Sequence, residues 1–204
     1  MLFGDCPGII SFGVAGGLAP QLRPGTCVIG SAILSGSKRM PTNQKWSWQL
    51  LQTFPDAVSG MIMGVTAPVS DPCDKRALHL NTGAIAVDME SHVVATVGAA
   101  HGLPVAAMRV ITDPAERALP ASAVAAMRPN GTTNIGAMIR AMLMRPREIP
   151  ALFQTALALA ARATLVRGRR LLGPGLLLVN SLEGEPVRAN EPYLGPAIQT
   201  AKGA

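Results

Sequence analysis

The segment that most limits how this chain can fold is residues 81–116, NTGAIAVDMESHVVATVGAAHGLPVAAMRVITDPAE. Its first apolar run, which ends at Val87, predicts a short strand, and the next residues predict a helix over about 89–100 that Gly102 terminates. The apolar run 105–111 then predicts a second strand. Strand, helix and strand at this spacing are typical of a parallel crossover, so we expect an α/β architecture.

The same alternation is visible upstream. Apolar runs predict strands over residues 8–14, 27–34 and 58–65, and two further stretches predict helices over 46–54 and 71–80. Asp71 is the expected N-cap of the second of these helices, with Pro72 in its first turn. The polar residues 35–45 predict a loop. The expected fold is a central mixed, mostly parallel twisted sheet flanked by helices.

The chain divides into three regions by composition. We expect the α/β domain to occupy residues 1–130 and a set of Arg-, Ala- and Leu-rich helices, packed on or beside it, to occupy residues 131–179. The tail, residues 180–204, carries Glu, Pro, Gly and Asn and is expected to be flexible.

Composition excludes several classes of function. The net charge is +6, but only 3% of residues are aromatic, and no basic run is interleaved with aromatics, so we expect no nucleic-acid partner. Cys6, Cys27 and Cys73 form no C-x-x-C pair, which argues against a disulfide framework and against a zinc site. The chain shows no signal peptide and no apolar stretch of the ~18 residues that a spanning helix needs. We therefore expect a cytoplasmic protein without a bound metal.

Two acidic residues in different settings are the candidates for chemistry. Asp113 follows an apolar strand, where a partly desolvated carboxyl could hold a proton and act as a general acid. Glu90 opens the predicted helix, where its ionised form is favoured and could accept hydrogen bonds from a diol. Purely structural roles remain open for both, as a helix first-turn charge and as a turn residue before Pro114. Arg109, in the same apolar strand, is expected to pair with a carboxylate or carbonyls as structural support.

Two stretches resemble motifs of the nucleoside phosphorylase and nucleosidase superfamily. They are SFGVAGGLAPQLRPGTCVIG, which is similar to its glycine loop and following strand, and AVDMESHVVATVGAAHGLPVAAMRVITDPA, which is similar to its helix and strand with an acidic end. The resemblance covers residues 8–118. The later stretch ARATLVRGRRLLGPG most resembles the branch associated with bacterial hopanoid biosynthesis. In that branch the implied reaction releases adenine from adenosylhopane and leaves a ribosyl hopanoid.

The resemblance implies a role for each site residue. Glu90 would bind the ribose hydroxyls, Met89 would pack on the sugar face, and Asp113 would protonate the purine at N7. The glycine loop would line the cleft and let backbone approach the nucleoside, through the residues Val14, Ala15, Gly16 and Gly17.

Water and phosphate are the two candidate nucleophiles for that reaction. Phosphorylases of the superfamily hold phosphate with an arginine and a serine, and the matching positions here are Ser11 and Val14. These side chains suit an anion poorly, so hydrolysis by water is favoured, with phosphate kept as an optional co-substrate and no other cofactor expected. Backbone amides of the loop could still form an anion nest.

The family begins with a strand and further segments upstream of the glycine loop. We expect this part to be missing here, together with the glutamate that activates water, for which Asp5 is a weak substitute; the sheet would then expose an edge. The resemblance also implies a homo-oligomer. The substrate would be a nucleoside carrying a hopanoid lipid, and Arg-bearing helices between residues 139 and 172 could touch the membrane surface.

Two other functions fit the same residues. One is a nucleosidase or phosphorylase that acts on a small soluble adenosine thioether, and the other is an inactive nucleoside-binding module. Substrate comparison separates the first from the hopanoid hypothesis, and binding without turnover would identify the second.

Overall fold

The computed structural model describes residues 7–118, 164 and 166–168. In residues 7–118, strands and helices alternate as expected for an α/β fold. The elements are β1 (Ile9–Gly17), β2 (Cys27–Ser35), β3 (Lys38–Pro41), α1 (Gln44–Thr53), β4 (Val58–Gly64), α2 (Pro72–Thr82), β5 (Ala86–Asp88), α3 (Ser91–Ala100) and β6 (Val105–Asp113). The predicted helices over 131–179 lie outside the described residues except for 164 and 166–168, which are helical, and so does the whole tail 180–204.

The six strands form one mixed sheet in the order β3-β2-β4-β5-β1-β6 within the described part of the chain. Its two most extensive pairings, β1 with β6 and β2 with β4, are parallel, whereas β2 pairs with β3 and β1 with β5 in antiparallel fashion. β6 also pairs with the start of β2, so the sheet curls until its edges meet. The predicted mixed sheet is confirmed.

β1 is paired very unevenly along its two edges. Residues Ile9 to Gly16 pair with β6 on one side, but on the other side only Gly16 and Gly17 pair with β5. Within the described residues, the first seven residues of β1 therefore have a strand partner on one edge alone.

Two sequence predictions of local structure are wrong. The stretch GVAGGL, expected as a tight loop, is extended through Gly17, and its glycines are not among those with positive φ. The expected loop 35–45 contains β3, which returns beside β2 after a two-residue hairpin at Gly36, whose φ is +57°. Hairpin turns of this length favour glycine because they require a left-handed residue.

The core lies on both sides of the curled sheet. The inner side is packed with fully buried side chains such as Val28, Ile33 and Ile62. On the outer side, α1 buries Trp46 and Leu50 against the sheet. No helix among the described residues is long and apolar enough to cross a membrane.

The helical residues 166–168 lie against this outer face. A Cβ placed on Gly168 would be 3.1 Å from Met108 Cε and 3.4 Å from Phe12 Cε2. The Cβ would therefore press on side chains of β6 and β1, so this turn of helix packs closely on the sheet.

Candidate active site

The ends of β1, β5 and β6 bring the predicted site residues to one place. Gly16 of β1 is in register with Val87 of β5 and also with Asp113 of β6. Glu90 follows β5 directly and is the N-cap residue of α3. The two candidate acids are thus carried by the strands on either side of Gly16, as ligand sites in α/β folds require.

A buried ion pair forms the floor below these acids. Arg109, in the middle of β6, is 1% exposed and donates from Nε to the buried carboxylate of Asp88. Its Nη2 donates to Ser11 Oγ at 2.6 Å. A guanidinium buried in this way needs a counter-charge and hydrogen-bond acceptors, and Asp88 and Ser11 supply them to Nε and Nη2. Arg109 thus pairs with a carboxylate, and its role as structural support stays a prediction.

Asp88 connects this pair to the start of α3. Its Oδ1 accepts hydrogen bonds from the Ser91 backbone N–H at 3.1 Å and from Ser91 Oγ at 2.6 Å. Asp88 therefore satisfies a first-turn N–H of the helix with its side chain, while the Glu90 side chain makes no such cap bond. The Glu90 carboxylate is consequently available for another partner.

Glu90 points to solvent above the floor. Its side chain is 57% exposed, and its Oε2 lies 3.9 Å from Arg109 Nη2, an ion-pair separation too long for a hydrogen bond. Met89 beside it is half-buried, and Val14 of β1 is exposed. These residues leave an accessible carboxylate and apolar surface at the same end of the sheet.

Asp113 has a charged partner that the sequence analysis did not identify. Lys75 of α2 donates from Nζ to Asp113 Oδ2 at 2.5 Å, and Thr112 Oγ1 donates to Oδ1 at 2.9 Å. The side chain of Asp113 is 16% exposed and that of Lys75 is 0% exposed. Asp113 is thus desolvated, as predicted, but it is also paired with a cation.

The glycines of β1 make room for charged side chains. A Cβ on Gly13 would lie 2.8 Å from Arg109 Nη1, and a Cβ on Gly16 would lie 3.1 Å from Asp113 Oδ2. The first distance is a steric clash and the second requires the carboxylate to move. These glycines are therefore needed for the side chains of β6, whatever backbone approach to a ligand they also permit.

Sequence reasoning missed Lys75 and gave Asp88 no role. Lys75 shares one face of α2 with Leu78, His79 and Thr82, all at least half-buried. Only Leu78 among these three is apolar, so the pattern along α2 gave no clear sign that the ammonium of Lys75 is buried. Asp88 ends β5, and nothing local in the sequence shows that Arg109 reaches it.

Two other titratable side chains of the described residues have surroundings of their own. His79 Nδ1 lies 2.7 Å from the Ala84 carbonyl oxygen, and burial raises the pKa of the Cys27 thiol to about 12. In the described residues, no group of three or more His, Cys, Asp or Glu side chains could hold a metal ion. A separate cleft of about 540 Å³ opens near Val105, at the opposite end of β6 from Asp113.

The sequence of residues 2–144 matches the model of a protein family described as the phosphorylase superfamily. A comparison with curated protein sequences finds no match. Among solved structures, the chain is similar to the native futalosine hydrolase of Helicobacter pylori strain 26695, with a TM-score of 0.52 and 20% identity over 57% of this chain and 58% of that one.

Two nucleosidase structures give similar values. The 5′-methylthioadenosine/S-adenosyl homocysteine nucleosidase of Helicobacter pylori, in complex with a pyrrolidine ligand, has a TM-score of 0.52 and 20% identity over 57% of this chain and 59% of that one. The 5′-methylthioadenosine/S-adenosylhomocysteine nucleosidase of Colwellia psychrerythraea 34H, in complex with adenine, has a TM-score of 0.50 and 17% identity over 54% and 55%. At these identities the similarity shows the fold, and the chain spans less than two thirds of each structure.

Proposed function

The chain belongs to the phosphorylase superfamily, and from this membership we propose that it cleaves the N-glycosidic bond of an adenosine-type nucleoside. The observation that carries the proposal is the placement of two carboxylates at one end of the sheet. Asp113 is mostly buried, whereas Glu90 is more than half exposed. Two carboxylates in unlike environments suit two different tasks in one reaction.

Glu90 holds the sugar in the proposed reaction. An exposed carboxylate accepts hydrogen bonds from two neighbouring hydroxyls, and such charge-assisted bonds are about twice as strong as neutral ones. Arg109 Nη2 lies 3.9 Å from Glu90 Oε2, and its positive charge attracts the Glu90 carboxylate toward the buried ion pair. Met89 supplies an apolar surface for the sugar face. A ribose fixed in this way presents C1′ and the base toward β6.

Asp113 supplies the proton in the proposed reaction. The C1′–N9 bond breaks with its electron pair going to adenine, and the sugar becomes cationic in character. Adenine is a poor leaving group until N7 accepts a proton, which Asp113 takes up from solvent and passes to N7. Water then adds its oxygen to C1′ and loses a proton to solvent, so that free adenine and a sugar hydroxyl result.

Water is the proposed nucleophile because the described residues offer little to a phosphate ion. Ser11 is 4% exposed and is bonded to Arg109, so its hydroxyl faces the floor of the site. The positive charge of Arg109 is already shared by Asp88 and Glu90. Val14, the other matching position, is apolar. An anion would therefore meet no unshared cation among these side chains.

The substrate that we propose is adenosylhopane, on the sequence resemblance of residues 161–175 to the hopanoid-associated branch. The exposed Val14 supports an apolar substituent on the nucleoside. A small adenosine thioether is the alternative, since two of the similar structures are nucleosidases named for such compounds. A homo-oligomer and contact with a membrane surface belong to the same proposal, and co-sedimentation with anionic liposomes tests the contact.

Adenine release tests the proposal. The 204-residue chain is incubated with adenosylhopane, 5′-methylthioadenosine, S-adenosylhomocysteine and futalosine, each with and without phosphate, and the free base is measured by chromatography. We expect release that does not need phosphate and that falls about 10²–10⁴-fold in Asp113→Asn, the range for a lost general acid. Base release by the wild-type chain at the background rate with all four compounds would contradict the proposal.

Asp56→Asn is the matched control for Asp113→Asn. Asp56 is exposed in the turn before β4, at the opposite end of that strand from the site. The same chemical change there is expected to leave release unaltered. An equal loss in both variants would mean that the Asp113 effect is not specific to the site.

A further inference from the structure

Lys75 is the one fully buried ammonium group among the described residues. It lies in the first turns of α2, a helix that Asp71 caps and in which Lys75 is the one buried residue. A buried ammonium is costly unless all of its charge and donors are satisfied. Lys75 therefore needs a negative charge and hydrogen-bond acceptors within reach of its ammonium group.

All three ammonium hydrogens of Lys75 have a partner at the end of β6 or on the segment that follows it. Nζ donates to Asp113 Oδ2 at 2.5 Å, to the Pro114 carbonyl oxygen at 3.1 Å and to the Arg117 carbonyl oxygen at 3.0 Å. Lys75 thus ties the carboxylate of Asp113 and the turn after it to α2. The carboxylate cannot rotate or withdraw without breaking this set.

We propose that Lys75 is a positioning residue that holds the Asp113 carboxyl for proton transfer to the purine. This inference rests on the proposed function. When Asp113 gives up its proton it becomes negatively charged, and an ammonium 2.5 Å away stabilises that charge as it forms. Lys75 therefore assists the departure of the proton and fixes the direction in which the carboxyl points.

A role of Lys75 in proton transfer can be distinguished from a merely structural role by changing the leaving group of the substrate. A nucleoside methylated at N7 already carries the positive charge that protonation would create, so its base departs without an acid. Loss of a group that serves proton transfer slows the neutral nucleoside and spares the cation. Loss of a group that only stabilises the fold slows both equally.

The experiment uses the 204-residue chain and compares kcat/KM for the adenine nucleoside that it cleaves fastest, adenosylhopane or 5′-methylthioadenosine, with kcat/KM for the N7-methylated cation of that nucleoside. We expect Lys75→Met to lose about 10²-fold on the neutral probe, in the range for a general acid, and to stay within a few-fold of wild type on the cation. Asp113→Asn is expected to show the same selectivity. Arg76→Met, an exposed cation next to Lys75 on α2, is the control and should change neither value.

Lys75→Gln is the second variant, because it keeps a hydrogen-bond donor if Lys75→Met does not fold. The ratio of the two probes is measured on one preparation, so partial unfolding cancels from it. An unchanged ratio in both folded Lys75 variants would overturn the role of Lys75 while leaving the proposed function intact. Wild-type chain that releases no base from any of the four compounds would instead contradict the proposed cleavage.

Discussion

Replacement of Arg109 by methionine tests the buried floor of the site most directly. The substitution keeps an apolar chain of similar length but removes the guanidinium. The carboxylate of Asp88, whose side chain is 0% exposed, then loses its cation and keeps only the two donors of Ser91. Removing one partner of a buried ion pair costs about 3–5 kcal/mol, because the other charge stays buried.

A loss of this size is large against the usual stability of about 5–15 kcal/mol for a domain. With a urea dependence of about 2 kcal/mol per molar, a loss of about 4 kcal/mol lowers the urea midpoint by about 2 M. The assay is equilibrium urea unfolding followed by tryptophan fluorescence, which is sensitive because Trp46 is 1% exposed in the folded chain.

A double-mutant cycle shows whether the loss belongs to the pair. We expect Asp88→Asn and Arg109→Met to cost less together than the sum of the single losses, by about 2 kcal/mol. Arg23→Met is the control, because Arg23 pairs with Glu116 at the surface, with side chains 70% and 55% exposed, and such pairs contribute about 0–1 kcal/mol. The reasoning is refuted if Arg109→Met costs less than about 1 kcal/mol or if the two losses are additive.

Three other variants give sharp outcomes. Gly13→Ala should lower stability by about 1–3 kcal/mol in urea unfolding, since its Cβ would meet Arg109 Nη1 at 2.8 Å, and an unchanged midpoint would contradict that clash. Glu90→Gln should slow base release while leaving the urea midpoint within about 0.5 kcal/mol of wild type, because its side chain is exposed; equal release would exclude the proposed sugar contact. In a Cys6→Ser background, a thiol reagent at pH 8 should modify Cys73 quickly and Cys27 only after denaturation, because Cys27 is buried with a pKa of about 12. Rapid reaction of two thiols in the folded chain would show that Cys27 is accessible.

Local signals in the sequence were sufficient for most of the fold. Asp71 caps α2 with a hydrogen bond to the Cys73 N–H, and Pro72 stands in its first turn, as predicted. Gly102 follows α3 with φ of +65°, as expected of a glycine that ends a helix. These features depend on residues close together in sequence. The short strand β3 was missed because four residues carry too little periodicity to distinguish a strand from a loop.

The site was predictable only in part, because its contacts join distant segments. Asp113 and Glu90 could be found from their positions at strand ends. The ion pair of Arg109 with Asp88 spans 21 residues and that of Lys75 with Asp113 spans 38, and no local pattern encodes either. From the sequence we could predict that Arg109 pairs with a carboxylate or with carbonyls, but not which residue supplies the partner. It could not distinguish an isolated acid at residue 113 from a paired one.

The glycines of β1 show how strand register makes a charged site possible. Two residues that are in register on paired strands lie side by side on the same face of the sheet. A large side chain on β6 that leans toward β1 therefore requires a small residue at the position of β1 in register with it. Gly13 is in register with Arg109, and Gly16 with Asp113. The two glycines are three residues apart and the two charged residues four, so the pairs can match only if the register shifts between them. It does shift, between Ala15 and Gly16. Without that bulge Gly16 would face Thr112, and Gly17 rather than Gly16 would lie opposite the acid. The bulge therefore decides which of two adjacent glycines lies opposite Asp113, whereas Gly13 lies opposite Arg109 in either register, so β1 offers a residue without a side chain to both charged groups.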